Sequence, residues 1–195
     1  MRTTRTGIIT FLLIITILLL SACGKSGYEG GPSSLVKEYS TLGELTSDAE
    51  DIAEINVLSQ ETITYLDVPF TISTVTVKSA LKGSIKEGDT IKVIETGGEY
   101  SPIGKDGKEL PKTNLKFNGI EVLSKNDHAI LFLNKFVGPQ VKDAYVPVGV
   151  YQGKFKVISG EAVQQAPEKE KLKDYKPIVI DSFKEKINQE KKSIK

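Results

Sequence analysis

Cys23 has the most distinctive chemistry in this sequence, because it is the sole cysteine. A lone thiol has no partner for an intrachain disulfide, so its sulfur is open to another covalent group. Four carboxylates, Asp48, Glu50, Asp51 and Glu54, crowd a short stretch, and a pair of them could do acid–base work. The plainer meaning of such a cluster is a solvated helix-to-strand junction. His128 is the single histidine, too few for a metal-ligand set or a nucleophile relay without other support. No Gly-x-Ser-x-Gly or His-x-x-x-His accompanies it, so it reads as structural or solvent-facing. Gly97-Gly98 lacks the Lys-Ser/Thr of a phosphate loop and reads as a turn. Tyr151, between Gly149 and Gly153, joins an aromatic face to close backbone approach, which suits either a ligand or a sheet corner.

Regular elements must position these residues. Thr41-Leu42-Gly43-Glu44 has capping-box spacing, and Leu42, Leu45 and Ala49 follow on one face, predicting a brief helix that ends before Glu50. From Asp51 the period becomes two: Ile55 and Val57 define a half-buried strand, with a break at Ser59-Gln60 before Thr62 to Leu66. Phe70 to Leu81 is a long strand whose apolar phase slips, Phe70 and Ile72 on one parity and Val75 and Val77 on the other. A bulge is expected to absorb the slip. Thr90 to Thr96 returns as a hairpin partner, with Ile91 and Val93 on one face. Ala129 to Leu133 is apolar throughout, as a strand covered on both sides would be. Tyr145 to Tyr151 and Lys154 to Ile158 add two more strands. Long, bent, bulged strands are what a small closed barrel needs, so the expected fold is mainly β, a small antiparallel barrel between an N-terminal and a C-terminal helix.

Gly97 to Gly119 has no period, and a loop of that length is commonly functional or disordered. With Tyr100 and Phe117, and with Tyr151 if the fold brings it near, it is either the ligand-contact surface or a plain insertion with no partner. At the C-terminus Ser182 to Glu185 reads as a second capping box, and the thin stripe Phe183, Ile187, Ile194 predicts a weakly docked helix whose lysines face solvent.

Composition limits the options. The formal net charge of +1 gives no basic excess for nucleic acid. The chain divides into 1–22, a secretory signal peptide; 23–34, a Gly/Ser-rich flexible tether; 35–165, the β-domain; and 166–195, a charged segment with a helix. The signal peptide follows from Arg2 and Arg5, the apolar run from Ile8 to Leu20 and small residues before a cut site. That run is short for a spanning helix, which needs about 20 apolar residues.

Leu20-Ser21-Ala22-Cys23 resembles the lipobox of bacterial lipoproteins. The resemblance implies that a diacylglyceryl group is joined to the Cys23 sulfur, that the chain is cut before Cys23, and that the new amino group is acylated, for example with palmitate. The partner it implies is membrane lipid at the outer face of the cytoplasmic membrane. Lys82-Gly83 at the end of a long strand and Ile130-Leu131-Phe132-Leu133 in a later one are similar to motifs of the OB-like barrels of netrin and the tissue inhibitors of metalloproteinases. Those inhibitors chelate metal through a free N-terminal cysteine and are rich in disulfides, so their mechanism does not carry over. The expected function is a non-catalytic binding or structural module of the cell envelope, with no cofactor or metal. An envelope protein or cell-wall ligand would be its partner. The alternative is a small envelope enzyme working through Asp48, Glu50, Asp51 and Glu54.

Overall fold

The computed structural model describes residues 28–29, 37–173 and 175–193. The signal peptide, Cys23 and Ile194 lie outside the described residues, as does the tether apart from Tyr28 and Glu29. In chain order the elements among the described residues are β1 (Tyr28–Glu29), α1 (Leu42–Asp48), β2 (Asp51–Tyr65), β3 (Val68–Lys82), β4 (Thr90–Thr96), β5 (Gly98–Tyr100), β6 (Thr113–Lys116), β7 (His128–Lys135), β8 (Ala144–Pro147), β9 (Lys154–Ile158), β10 (Glu161–Gln164), β11 (Ile178–Val179) and α2 (Ile180–Ser193), with a 3₁₀ turn at Glu168–Glu170.

The fold is mainly β, with one short helix near the start of the domain and one at its end. The main sheet runs β11-β10-β9-β7-β2-β3-β4-β8, and β8 pairs in addition with β7. The free edge of β7 is shared: Ala129 to Leu131 pair with β9, and Leu133 to Lys135 pair with β8. Pairing therefore passes from β7 through β2, β3, β4 and β8 and returns to β7. An all-antiparallel sheet was expected, but β4 and β8 run parallel. The reason is connectivity, since a long excursion through β5, β6 and β7 separates the two strands and no tight turn joins them.

β3 carries no bulge at its phase slip. Its pairing with β4 stays in register from Phe70 to Thr76. The slip exists because both faces are apolar: Val75 and Val77 point to an interior cluster with Ile55, Val57, Val93, Leu131 and Leu133, whereas Ile72 points outward to a second cluster with Ile94 and Ala144. The expected bulge lies on the partner strand: the β2–β3 register shifts between Val57 and Ser59, opposite Val75 and Thr74 at the slip itself, and Leu58 is the extra residue. That shift replaces the expected break, so β2 continues unbroken to Tyr65.

A third cluster covers the other outer face. Ile52, Ile130, Phe132 and Phe155 meet Leu45 of α1 and Phe183 and Ile187 of α2. The Phe183 ring lies 4.7 Å from Phe155 and 5.6 Å from Tyr175, centroid to centroid. The C-terminal helix is thus firmly docked, contrary to the thin stripe read from sequence, because two large side chains buried without residue each contribute about 1.5–3 kcal/mol. It also begins at Ile180, so Ser182 lies inside it and is no cap. The capping box at Thr41 and Glu44 of α1 is present in both halves.

Gly97 to Gly119 is ordered as a hairpin rather than left irregular. β5 and β6 pair, and β1 adds to β6 in parallel, placing Tyr28 opposite Leu115. Loops acquire such order when their backbone groups find partners, as Gly104 N–H does at Lys108 O and Leu110 N–H at Pro102 O.

Candidate functional site

The four carboxylates of the first junction do not converge. Asp48, at the end of α1, accepts from Lys37 Nζ at 2.8 Å and from the Tyr39 hydroxyl. Those hydrogen bonds hold its carboxyl below the usual range, while burial and Asp48 push Tyr39 up. Glu50 is exposed and contributes its backbone N–H to Asn134 Oδ1. Asp51 is buried, and its Oδ1 accepts from the backbone N–H of Ser84 and Ile85. A Cβ at Gly83, where φ is +94°, would overlap that carboxylate, so glycine is required there.

Glu54 lies beneath α2 and meets Lys184 Nζ at 2.6 Å, His128 Nε2 at 2.7 Å and Lys78 Nζ at 3.6 Å. Burial alone would raise its pKa, but the bonds from Lys184 and His128 outweigh that and hold it low. Lys184 is shifted up: burial opposes its charge, and the Glu54 carboxylate more than offsets the penalty. A depressed carboxylate under a cation is a strut, poorly matched to proton transfer near neutral pH. The single histidine is part of that strut.

Two of the three expected ligand aromatics do meet. The Phe117 and Tyr151 rings lie 6.1 Å apart. Both line a small cleft with Glu95, Ile120, Glu121 and Lys154. Tyr100 is not among its lining residues; it is half-buried in β5 opposite Thr113. The cleft is narrow, about 10 Å3, room for one water molecule at most. The Tyr151 hydroxyl donates to the Glu170 carboxylate and accepts from Asn118 Nδ2 at 2.9 Å. Burial and Glu170 push it up to about 12, so it stays neutral. A Cβ on Gly153 would stand 2.9 Å from Phe132 O, which accounts for glycine at this corner by close packing alone.

At the floor lies a pair that the sequence reading passed over. Lys154 Nζ and Glu95 Oε1 are 2.6 Å apart, their side chains 2% and 4% exposed. Lys154 also donates to Glu121 O, and Glu95 Oε2 accepts from Leu123 N–H at 2.9 Å. A buried ion pair persists when such additional bonds satisfy both groups. The signal was in the strand period, since Glu95 continues the inward parity of Ile91 and Val93 and so puts a charge at a core position. Among the described residues no group of three or more His, Cys, Asp or Glu side chains could hold a metal ion, and no helix is long and apolar enough to cross a membrane.

The outer face of β3 and β4 differs in kind. Ile72, Ile94 and Ala144 are buried there, but Ile63, Phe70, Phe136, Val141 and Val146, which pack on them, are only half-covered. At its edges Leu66 is 80% exposed and Val137 is 95% exposed.

Compared with known proteins, the chain matches no family model, no curated protein and no solved structure.

Proposed function

We propose that this chain is an extracytoplasmic lipoprotein, a non-catalytic binding module held to the membrane through an acylated Cys23 and built on a small OB-like barrel. The barrel reading is supported by the circuit β7-β2-β3-β4-β8-β7 with its one parallel pair. In OB barrels the outer face of the second and third strands, with the loops joining strands one to two and four to five, is the contact surface. The corresponding places here are the outer face of β3 and β4, the β2–β3 turn and the β7–β8 loop.

One observation carries the binding reading: among the described residues that surface is apolar, half-covered around its centre and open at Leu66 and Val137. Exposed apolar patches of this kind mark interaction sites. Against the enzyme alternative, Asp48, Asp51 and Glu54 each serve a structural partner. Mass spectrometry of the mature N-terminus tests the anchor. The expected result is a chain beginning at a diacylglyceryl-modified Cys23, with Cys23→Ala released from the membrane fraction. A chain still starting at Met1, or an unmodified cysteine, overturns it.

A further inference from the structure

The distal half of the β2–β3 hairpin is amphipathic in an unusual sense. Cross-strand pairs Ile63–Phe70 and Tyr65–Val68 share one face, because side chains two apart on a strand lie on the same side. Thr62 and Thr71, the cross-strand pair next to Ile63–Phe70, lie on the other. On β3 the polar face is covered, with Thr71 and Ser73 buried, while Gln60 and Thr62 opposite them stay partly open to water. Thr71 Oγ1 donates to Gly97 O at 2.8 Å, and Gln60 Nε2 donates to Ser73 Oγ and to Leu123 O. A Cβ at Gly98 would overlap the Thr71 hydroxyl, so β5 presses directly onto this face. The apolar face is left outward, ending in Leu66 at the turn and continued by Val137 on the β7–β8 loop, since Phe136 and Val141 pack on the same cluster as Ile63 and Phe70. Water disfavours that arrangement, and Gln60 and Thr71 on the other face are already engaged.

The position of this face suggests what covers it. β1 pairs with β6, β6 with β5, and β5 rests on Thr62 and Thr71 of the hairpin. Cys23 precedes Tyr28 by five residues, at most about 18 Å of extended chain. We infer that the apolar hairpin face, through Tyr65, Leu66, Val68 and Val137, enters the surface of the bilayer in which Cys23 is anchored. The inference rests on the anchor reading and adds a second contact, which fixes the orientation of the domain. Charge does not drive it: Lys135 and Lys142 flank Val137, but Asp67 and Asp143 sit beside the same turns. Insertion should therefore occur on neutral as well as anionic vesicles.

The test uses the full mature, acylated protein in phosphatidylcholine vesicles, with and without phosphatidylglycerol. Acylation leaves no thiol, so Leu66→Cys, Val137→Cys or Lys173→Cys each supplies the only reactive one for an environment-sensitive dye. Lys173 lies beside a hollow of about 320 Å3 near α2, on the helix-covered side. The expected result is a blue shift, and quenching by acyl-chain spin labels, at positions 66 and 137 and neither at 173. Dyes at 66 and 137 that stay aqueous overturn the inference, as does burial that depends on protein concentration with disulfide pairing between two Leu66→Cys chains, which would mean a second copy is the occupant. Mass spectrometry of the same sample reads the anchor separately. An acylated chain with aqueous dyes removes only this inference, whereas an unacylated chain removes the anchor and this inference with it.

Discussion

The two outer faces of the β2–β3–β4–β7–β8 circuit are both apolar, yet among the described residues helices close only one. Over β2, β7 and β9, the helices α1 and α2 bury Leu45, Phe183 and Ile187, and Lys184 of α2 pairs with Glu54 of β2. Over β3 and β4, half-covered Phe70 and Phe136 meet no helix among the described residues. The contrast teaches that the two helices among the described residues seal one apolar sheet face and leave the other without a helix. Stability should therefore reside in the closed face and the interior, and contact in the open one.

The largest effect should come from Phe183→Ala, which empties a site ringed by Phe132, Phe155 and Tyr175. A loss of about 3–5 kcal/mol in urea unfolding is expected. Phe70→Ala on the open face should lose about 1 kcal/mol. Equal losses would break the comparison. Nearly as large should be Lys154→Met, which strands the Glu95 carboxylate in the interior at a cost of about 3–5 kcal/mol, whereas changing both partners to apolar residues should recover most of it.

Acid should loosen the closed face selectively. The Glu54 carboxyl is held low in the folded state, so its contribution is complete above the unfolded value of about 4.3 and is lost as pH falls through the lower folded value. Amide exchange in α2 should accelerate in that window, and Glu54→Gln should make α2 exchange faster at neutral pH and flatten its acid response. A smaller effect, about 1 kcal/mol, is expected for Lys82→Met, because Lys82 Nζ caps α1 by donating to Thr46 O and Ala49 O. The smallest is Val137→Ser, within about 0.5 kcal/mol of the parent in unfolding, with the difference showing only in vesicle contact.

How much of this was legible beforehand varies by element. The Thr41 capping box, the β3–β4 hairpin and the apolar β7 strand are local patterns, and local patterns survive folding. The docking of α2 was not legible, since Phe183 acquires its meaning from Phe132, Phe155 and Tyr175, none of which is near it in its own helix period. The phase slip in β3 was visible, but its cause, two different apolar faces, needs the partners of both sides. At the candidate site, Phe117 and Tyr151 were named and do meet, while Glu95 and Lys154 were missed because no short motif links residues that only tertiary structure pairs.

The parallel pairing of β4 with β8 also sets an order in time. The β2–β3 and β3–β4 hairpins join neighbours in sequence and can zip within microseconds. β8 arrives only after the chain has passed through β5, β6 and β7, so a long loop must close before that pairing returns any energy. Until then β4 is an open edge with Ile91 and Val93 behind it, the most aggregation-exposed stage of the folding pathway. Refolding should accordingly show a fast phase reporting the hairpins and a slower one reporting Tyr145, whose burial against the interior cluster marks the moment the strand circuit shuts.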